Sequence, residues 1–221
     1  MRQGDPHLQA YYAARAREYE RVYAKPERQP DLKTLAELIP RFFTGGSVLE
    51  VACGTGYWTQ YLARTARRIL AVDLAEETLA IAREKNLPSD RVSFTIANAL
   101  GLPPELGRFD GAFAGFWWSH LRPGERNQFL SSLQARLTPG ATVVLLDNLF
   151  VQGSSTPIAQ SDAEGNTYQR RILDDGSARL VLKNFPTQSE LIRDVARFGV
   201  NYRYRALDYY WLFAYEAAGV A

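Results

Sequence analysis

Short apolar runs alternate with amphipathic stretches along the first two thirds of the chain. The runs SVLEVA, RILAVD, RVSFTIAN, FDGAFAGF and ATVVLLDN, which begin at residues 47, 68, 91, 109 and 141, predict five strands. Residues 31–39, 57–66, 75–86 and 123–137 have helical spacing of apolar positions. Strands that alternate with helices predict a parallel sheet covered by helices on both faces, and the run VVLL suits a central strand.

The last third of the chain has a different pattern. Residues 150–165 are rich in Gly, Ser, Thr and Gln and predict a loop, whereas NTYQRRIL and SARLVLKN flank Asp174-Asp175-Gly176 and predict a β-hairpin. Thr187 and Glu190 form a capping box for a helix that should run to Phe198. The aromatic-rich segments VNYRYRAL and YYWLFAYE predict two further strands. We interpret residues 150–186 as an insertion into a single domain over 41–221.

Composition narrows the class of protein. A chain of 221 residues, 46% hydrophobic and 23% charged, suits one globular domain. Its single cysteine, Cys53, allows no internal disulfide and predicts a reducing, cytoplasmic location. We find neither a secretory signal nor an apolar run of membrane-spanning length. The net charge of +2 gives no reason to expect DNA or a membrane as partner.

The segment VLEVACGTG, over residues 48–56, predicts a strand that enters a glycine turn and then a helix. Gly54 and Gly56 allow a sharp turn and close approach of a ligand to the backbone. A dinucleotide fingerprint requires a third glycine, but Thr59 occupies that position, and no Lys-Ser or Lys-Thr pair follows as in a phosphate loop. Taken alone, the two glycines could equally serve a tight turn.

Two polar residues end the next two strands. Asp73 ends the second strand, where its carboxylate can accept hydrogen bonds from both hydroxyls of a ribose. Asn98 ends the third strand, where its amide oxygen can accept from an adenine amino group while the backbone of Ala99 meets the ring edge. Asp73 could instead be a helix N-terminal acid.

Five motifs in the order LEVACGTG, AVDLAEETLAIAREK, FTIANALGLP, RFDGAFAGFWWSHL and LTPGATVVLLD resemble the class I S-adenosylmethionine-dependent methyltransferases of small-molecule type. The resemblance covers residues 47–148. It implies a Rossmann-like α/β fold with a seven-stranded, mostly parallel sheet in the order 3-2-1-4-5-7-6, strand 7 being antiparallel. It also implies S-adenosylmethionine as cofactor, S-adenosylhomocysteine as product, a small-molecule acceptor and no metal.

The resemblance assigns roles to individual residues. Glu50 and Ala52 would lie near the methionine amino group, Asp73 would hold the ribose, and Leu74 would pack on the adenine. The family often has Gly where Ala52 stands and Asp where Asn98 stands. The complete predicted cofactor set is Tyr11, Tyr19, Glu50, Ala52, Gly54, Gly56, Trp58, Thr59, Asp73, Leu74, Asn98, Ala99 and Phe116.

The acceptor site is expected after the fourth strand. Methyl transfer is an in-line displacement in which alignment and exclusion of water contribute much of the rate, so few catalytic groups are required. Trp117 and Trp118 are candidate acceptor-binding residues, although both could be ordinary core residues. His120 is the candidate general base because its intrinsic pKa suits neutral pH, and a structural histidine is the alternative. Tyr168, in the hairpin, should cover the mouth of the pocket unless the hairpin is only a surface feature.

The N-terminal residues 1–40, with a helix predicted over 8–23, resemble the lid of small-molecule methyltransferases. A lid tyrosine in that family commonly faces the methionine end of the cofactor, and Tyr11 and Tyr19 are the candidates. They could equally form a stripe packed on the domain.

Single sequence features distinguish the chain from several other classes of protein. Metal-dependent methyltransferases place Asp-Asn after the fifth strand, as Asp147-Asn148 does, but 114–116 offers no carboxylate, so we expect no Mg²⁺. An Asp/Asn-Pro-Pro-aromatic motif of amino-methylating DNA enzymes is lacking, and a nicotinamide oxidoreductase is disfavoured by Thr59. An RNA methyltransferase and a non-catalytic S-adenosylmethionine-binding protein stay open. So do the acceptor atom (O, N, S or C) and the oligomeric state.

Overall fold

The computed structural model describes residues 16–172 and 176–219, with side chains from residue 20 onward. The α-helices in these ranges are α1 (Gln29–Leu38), α2 (Thr59–Leu62), α3 (Glu76–Arg83), α4 (Pro123–Gln134) and α5 (Gln188–Val195). Short 3₁₀ helices occupy Ala16–Tyr23, Pro26–Arg28, Ile39–Phe43, Ala99–Gly101, Pro104–Leu106 and Trp118–His120.

The main sheet confirms the predicted fold. Its strands are β1 (Ser47–Val51), β2 (Arg68–Asp73), β3 (Val92–Ile96), β4 (Phe109–Gly115), β5 (Leu137–Asn148), β9 (Gly199–Ala206) and β10 (Tyr210–Ala217). They lie in the order β3-β2-β1-β4-β5-β10-β9. β10 is antiparallel to both neighbours, and β1 to β5 are parallel. The order equals 3-2-1-4-5-7-6 when β10 is counted as strand 7.

The helices around the sheet are shorter than the sequence pattern predicts. The segment 57–66 contains only the four-residue helix α2, and α5 ends at Val195 instead of Phe198. Helix α3 ends at Arg83, and Asn86 shortly after it has a φ of 52°. Asn tolerates this left-handed conformation, which terminates helices. The capping box of α5 is confirmed, because Thr187 and Glu190 bond to each other's backbone amides.

Alternation along β1 builds a core on each face of the sheet. All five residues of β1 are buried. Val48 belongs to a cluster with Leu35 of α1, and Leu49, pointing the opposite way, belongs to a cluster with Phe129 of α4. The helices on the two sides therefore bury the strands that carry the glycine turn.

The insertion is a small sheet of its own. The predicted hairpin is confirmed as β7 (Thr167–Ile172) paired with β8 (Ala178–Leu182). The prediction of a loop over 150–165 was wrong in part, because Ile158–Ser161 forms strand β6 against β7. All four residues of β6 are exposed, so no apolar alternation marks the strand in the sequence.

Within the ranges given above, no helix combines the length and the apolar character needed to cross a membrane.

Candidate functional site

The turn after β1 holds three residues in the left-handed region. Ala52, Gly54 and Gly56 have φ values of 54°, 55° and 74°. A Cβ on Gly56 would lie 3.1 Å from the Cβ of Ala82 in α3, so glycine also permits close packing there. Ala52 lacks this freedom, and left-handed φ costs an L-residue roughly 1–2 kcal/mol. The backbone of Ala52 is therefore strained, and strained residues of this kind cluster at ligand-binding sites.

The carboxylate of Asp73, at the end of β2, fixes this turn. Its Oδ2 accepts a hydrogen bond from the Gly54 amide at 2.8 Å, and its Oδ1 accepts one from the Ala75 amide at 3.0 Å. Burial raises the pKa of Asp73, although these backbone donors oppose the shift. The side chain is half-buried, and each oxygen has a second lone pair. Asp73 can therefore accept ligand hydroxyls without releasing the turn.

Glu50 is a buried carboxyl group with an unsatisfied oxygen. The residue is 1% exposed, and its Oε2 has no hydrogen-bond partner among the described residues. Burial raises its pKa to about 8, and the nearby Asp73 carboxylate adds to the shift. A buried acceptor without a partner is costly, so this position suits a ligand that brings an N–H donor or a positive charge.

Glu50 lines a cavity of about 280 Å³, including its open mouth. The cavity lies between the glycine turn and the end of β4. Its walls are formed by Tyr23, Glu50, Ala52, Cys53, Gly54, Thr55, Tyr57, Trp58, Phe113 and Gly115. Four of these, Glu50, Ala52, Gly54 and Trp58, were predicted as cofactor-binding residues.

Tyr23 closes one side of the cavity and was missed by the sequence analysis. Its ring stacks on Tyr57 with centroids 3.7 Å apart and an interplanar angle of 10°, and it lies 5.7 Å from the ring of Phe116. Tyr23 follows Tyr19 by four residues, so the tyrosine stripe itself was the available signal. Tyr11 and the side chain of Tyr19 lie outside the described residues.

The N-terminal segment is joined to the glycine turn by Glu20. Its Oε1 accepts a hydrogen bond from the hydroxyl of Thr55 at 2.7 Å and lies 2.7 Å from Lys85 Nζ. Helix Ala16–Tyr23 therefore contacts the turn after β1 and the end of α3. This arrangement places Tyr23 over the cavity.

The predicted adenine position has a structural role in the protein. Asn98 Oδ1 accepts a hydrogen bond from the Leu100 amide at 2.9 Å and so caps the helix Ala99–Gly101. Asn98 is half-buried, as is Leu74, which follows Asp73. The amide oxygen keeps a second lone pair, so capping leaves room for an adenine amino group.

Phe116 directly follows β4 and has a strained conformation. Its φ is 59°, which is rare for a bulky residue, and its amide donates to the Leu146 carbonyl at 2.7 Å. The ring lies 5.7 Å from those of both Tyr23 and Tyr210. The turn thus directs Phe116 toward the cavity side of the sheet.

The residues after Phe116 point to the opposite core. Trp118 is fully buried against Phe129 and beneath the Arg126 guanidinium, so no face of its ring is open to an acceptor. Trp117 is half-buried and also packs on Phe129. Neither residue lines the cavity, which fits the alternative role of a core residue better than contact with an acceptor.

His120 is buried under the insertion. Its Nδ1 lies 2.6 Å from the Leu182 carbonyl oxygen of β8, which assigns the donating proton to Nδ1. Burial, with the ammonium of Lys183, lowers the pKa of His120 to about 3. The imidazole is neutral at physiological pH and ties the insertion to the segment after β4. A general-base role for His120 stays a prediction.

A buried ion pair completes this attachment. Lys183 Nζ lies 2.6 Å from Asp147 Oδ1 and donates to the Ser119 hydroxyl at 2.7 Å. Asp147 Oδ2 accepts from the Ser119 amide at 3.0 Å. Burial alone would raise the pKa of Asp147, but the Lys183 ammonium and His120 hold it below its usual value. The negative charge of Asp147 is therefore compensated by the ammonium of Lys183.

Tyr168 lies at the edge of the insertion. Its hydroxyl donates to Asp162 Oδ2 at 2.9 Å, and Arg122 Nη2 lies 3.5 Å from the same hydroxyl oxygen. It connects β7 with the N-terminus of α4. In residues 16–172 and 176–219, no three His, Cys, Asp or Glu side chains are grouped so that they could hold a metal.

Known proteins resemble this chain over different lengths. Residues 48–140 match the family model described as a methyltransferase domain. The structure of the DhpI–SAH complex has a TM-score of 0.77 and 25% identity, with 95% of both chains covered. The DhpI–SAM–HEP complex has a TM-score of 0.74 and 26% identity, over 94% of this chain and 95% of that one.

Two curated relatives match a shorter region. Methyltransferase GfsG of Streptomyces halstedii is 30% identical over 125 residues, which is 55% of this chain and 44% of that protein. The demethylmenaquinone methyltransferase of Shouchella clausii (strain KSM-K16) is 32% identical over 108 residues, or 47% of this chain and 45% of that protein. The chain thus spans less than half the length of these two relatives.

Proposed function

We propose that this protein, a class I methyltransferase by fold and by the motifs of residues 48–140, transfers a methyl group from S-adenosylmethionine to a small-molecule acceptor. The observation that carries the proposal is the unsatisfied Glu50 oxygen in the cavity beside Gly54. A ligand ammonium would satisfy it. Solved complexes of similar chains with SAM and SAH support the same cofactor.

The protein's own groups fit the parts of that cofactor. Glu50 would bind the amino group, the backbone of Gly54 and Gly56 would line the methionine and ribose, and Asp73 would accept the ribose hydroxyls. Asn98, Ala99 and Leu74 would surround the adenine. Bound S-adenosylmethionine would supply an activated methyl group. Tyr23, Trp58 and Phe116 would exclude water from it and fix the line of attack, and such positioning contributes much of the rate of methyl transfer.

The lid and the insertion would enclose the cofactor and the acceptor. Residues 1–40 act as a lid, with Tyr23 joining Tyr11 and Tyr19 as candidates over the methionine end. The insertion 150–186 would bound the acceptor side, with Tyr168 at its margin. The lone thiol of Cys53 is buried, and burial raises its pKa, which suits a filler and a cytoplasmic protein. Neither DNA nor a membrane is proposed as partner.

Calorimetric titration with S-adenosylmethionine, S-adenosylhomocysteine and NADH tests the cofactor. We expect micromolar binding, about −8 kcal/mol, of the first two and none of NADH. Asp73→Asn keeps an acceptor for Gly54 but loses the charge, and should weaken binding about 10- to 100-fold. Binding of NADH alone, or equal affinity in the variant, would reject the site. Methyl transfer in an acceptor screen then separates an enzyme from a binding protein.

A further inference from the structure

Three cationic side chains converge on one loop of the insertion. Lys25 Nζ donates to the Ser154 carbonyl at 2.7 Å, and Arg28 Nη2 donates to the Ser154 hydroxyl at 3.1 Å. Arg171 Nη1, from β7, donates to the hydroxyl of Thr156 at 2.9 Å. The three cations come from two distant parts of the chain, so the fold and not the sequence brings them together.

These cations have few negative partners. Within the described residues, Arg28 and Arg171 form no ion pair, and Lys25 lies 4.0 Å from Glu27, an exposed carboxylate that also accepts from the Ser154 hydroxyl. Arg28 is only 8% exposed. The pKa of Lys25 is lowered, first by burial and then by the positive charges of Arg28 and Arg171. The carboxylate of Glu27 opposes this shift in pKa. The cluster therefore carries more positive than negative charge, and its side chains are partly or largely buried from solvent.

The cluster adjoins the proposed methyl-transfer site. The Arg28 guanidinium lies 5.7 Å from the ring centroid of Tyr210, and Tyr210 lies 5.7 Å from the ring of Phe116. Phe116 in turn packs on Tyr23 and Trp58, which line the cavity. Two aromatic side chains, Tyr210 and Phe116, thus lie between the Arg28 guanidinium and the residues that line the cavity.

We propose that Lys25, Arg28 and Arg171 bind an oxyanion, a carboxylate or a phosphate-type group, carried by the acceptor. Guanidinium and ammonium donors match such oxygens in charge and geometry. The inference rests on the proposed function, because it names the acceptor class of the same site. Neutral Ser154 and Thr156 oxygens hold the cations in place, and Glu27 offsets only part of their positive charge.

Binding of simple anions tests the proposal. Inorganic phosphate and acetate are titrated separately into the S-adenosylhomocysteine complex, with chloride at equal ionic strength as control. We expect one phosphate or acetate site of millimolar affinity, and the stronger of the two identifies the type of oxyanion. Arg171→Gln and Lys25→Gln keep hydrogen bonding but lose charge, and each should weaken binding about tenfold or more. Thermal unfolding verifies that both variants fold.

The matched control is Arg193→Gln, because Arg193 is an exposed cation of α5, 3.6 Å from Asp194. Its anion affinity should equal that of the unchanged protein. If S-adenosylhomocysteine binds but neither anion does, or if all three variants bind anions equally, the oxyanion site is rejected. If S-adenosylhomocysteine itself fails to bind, the proposed function is rejected. In that case phosphate and acetate are titrated into the ligand-free protein, and the outcomes given above support or reject the oxyanion site.

Discussion

Lys183 Nζ and Asp147 Oδ1 lie 2.6 Å apart, with side chains only 4% and 0% exposed. Asp147 is the penultimate residue of the inner strand β5, and Lys183 directly follows β8 of the insertion. The ion pair therefore links the small sheet to an inner strand of the large one. Ser119, from the segment after β4, shares both partners.

Removing one member of this pair should destabilise the protein strongly. Lys183→Met leaves the Asp147 carboxylate buried without its counter-charge, which costs about 3–5 kcal/mol. Urea unfolding followed by tryptophan fluorescence measures the free energy of unfolding. The double variant Lys183→Met/Asp147→Leu should recover much of the loss, because no buried charge is left. A double variant less stable than Lys183→Met would contradict this explanation.

Cofactor binding should release a proton from Glu50. In the free protein its pKa of about 8 keeps the carboxyl protonated at pH 7, and a ligand ammonium would favour the ionised form. The binding enthalpy of S-adenosylhomocysteine is measured by calorimetry in PIPES and in Tris at pH 7. The two values should differ by the difference between the buffers' ionisation enthalpies, multiplied by nearly one released proton. Glu50→Gln should abolish the difference. Identical enthalpies in both buffers for the unchanged protein would refute the assignment.

The same shift predicts how stability depends on pH. The folded pKa of Glu50 lies above its unfolded value of about 4.5, so the folded state binds the proton more tightly. Its contribution is complete below pH 4.5 and is lost as the pH rises toward 8. In the ligand-free protein, the difference in unfolding free energy between pH 6 and pH 8 should therefore shrink in Glu50→Gln.

The inner part of the sheet was predictable because strands such as β1 and β4 are buried on both faces and are therefore rich in apolar residues. Five strand-like runs in alternation with helices then leave few topologies. The exposed strand β6 left no comparable pattern. Its pairing with β7 depends on a neighbour in space, so only the structure could reveal it.

The site was predictable where backbone geometry requires a particular residue. Gly54, Gly56 and Asp73 come together as expected, because the glycine turn and the ends of parallel strands meet at one edge. Contacts made by side chains from afar were not predictable. Tyr23 reaches the cavity through the packing of the N-terminal segment, and Trp118 turns into the core beneath Arg126.

Glycine at position 56 should matter for contact as well as for conformation. Gly56→Ala and Gly153→Ala both place an alanine at positive φ, 74° and 84°, at a shared cost of about 1–2 kcal/mol. Only Gly56→Ala adds a clash with Ala82, since Gly153 has open space. We expect a larger loss of unfolding free energy, and weaker S-adenosylhomocysteine binding, in Gly56→Ala alone. Equal affinity in the two variants would show that the turn does not contact the cofactor.

Contact between the N-terminal segment and the glycine turn should contribute to affinity. Glu20→Ala removes the bond to Thr55 and the ion pair with Lys85, and the expected loss of S-adenosylhomocysteine affinity is about 3- to 10-fold. The control is Glu37→Ala, because Glu37 is an exposed acid of α1. A faster dissociation rate in stopped-flow fluorescence should accompany the loss. Matching rates in the two variants would exclude a lid role for Glu20.

The position of β10 has a consequence for folding during synthesis. β10 pairs with β5 on one side and with β9 on the other, yet it follows all the other described strands in the sequence. Until residues 210–217 leave the ribosome, β5 has an unpaired edge of strongly apolar residues, and such edges invite aggregation. The contacts between β5 and β10 are also distant in sequence, which slows their formation. Chaperone dependence should therefore be greatest in the interval between synthesis of β5 and synthesis of β10.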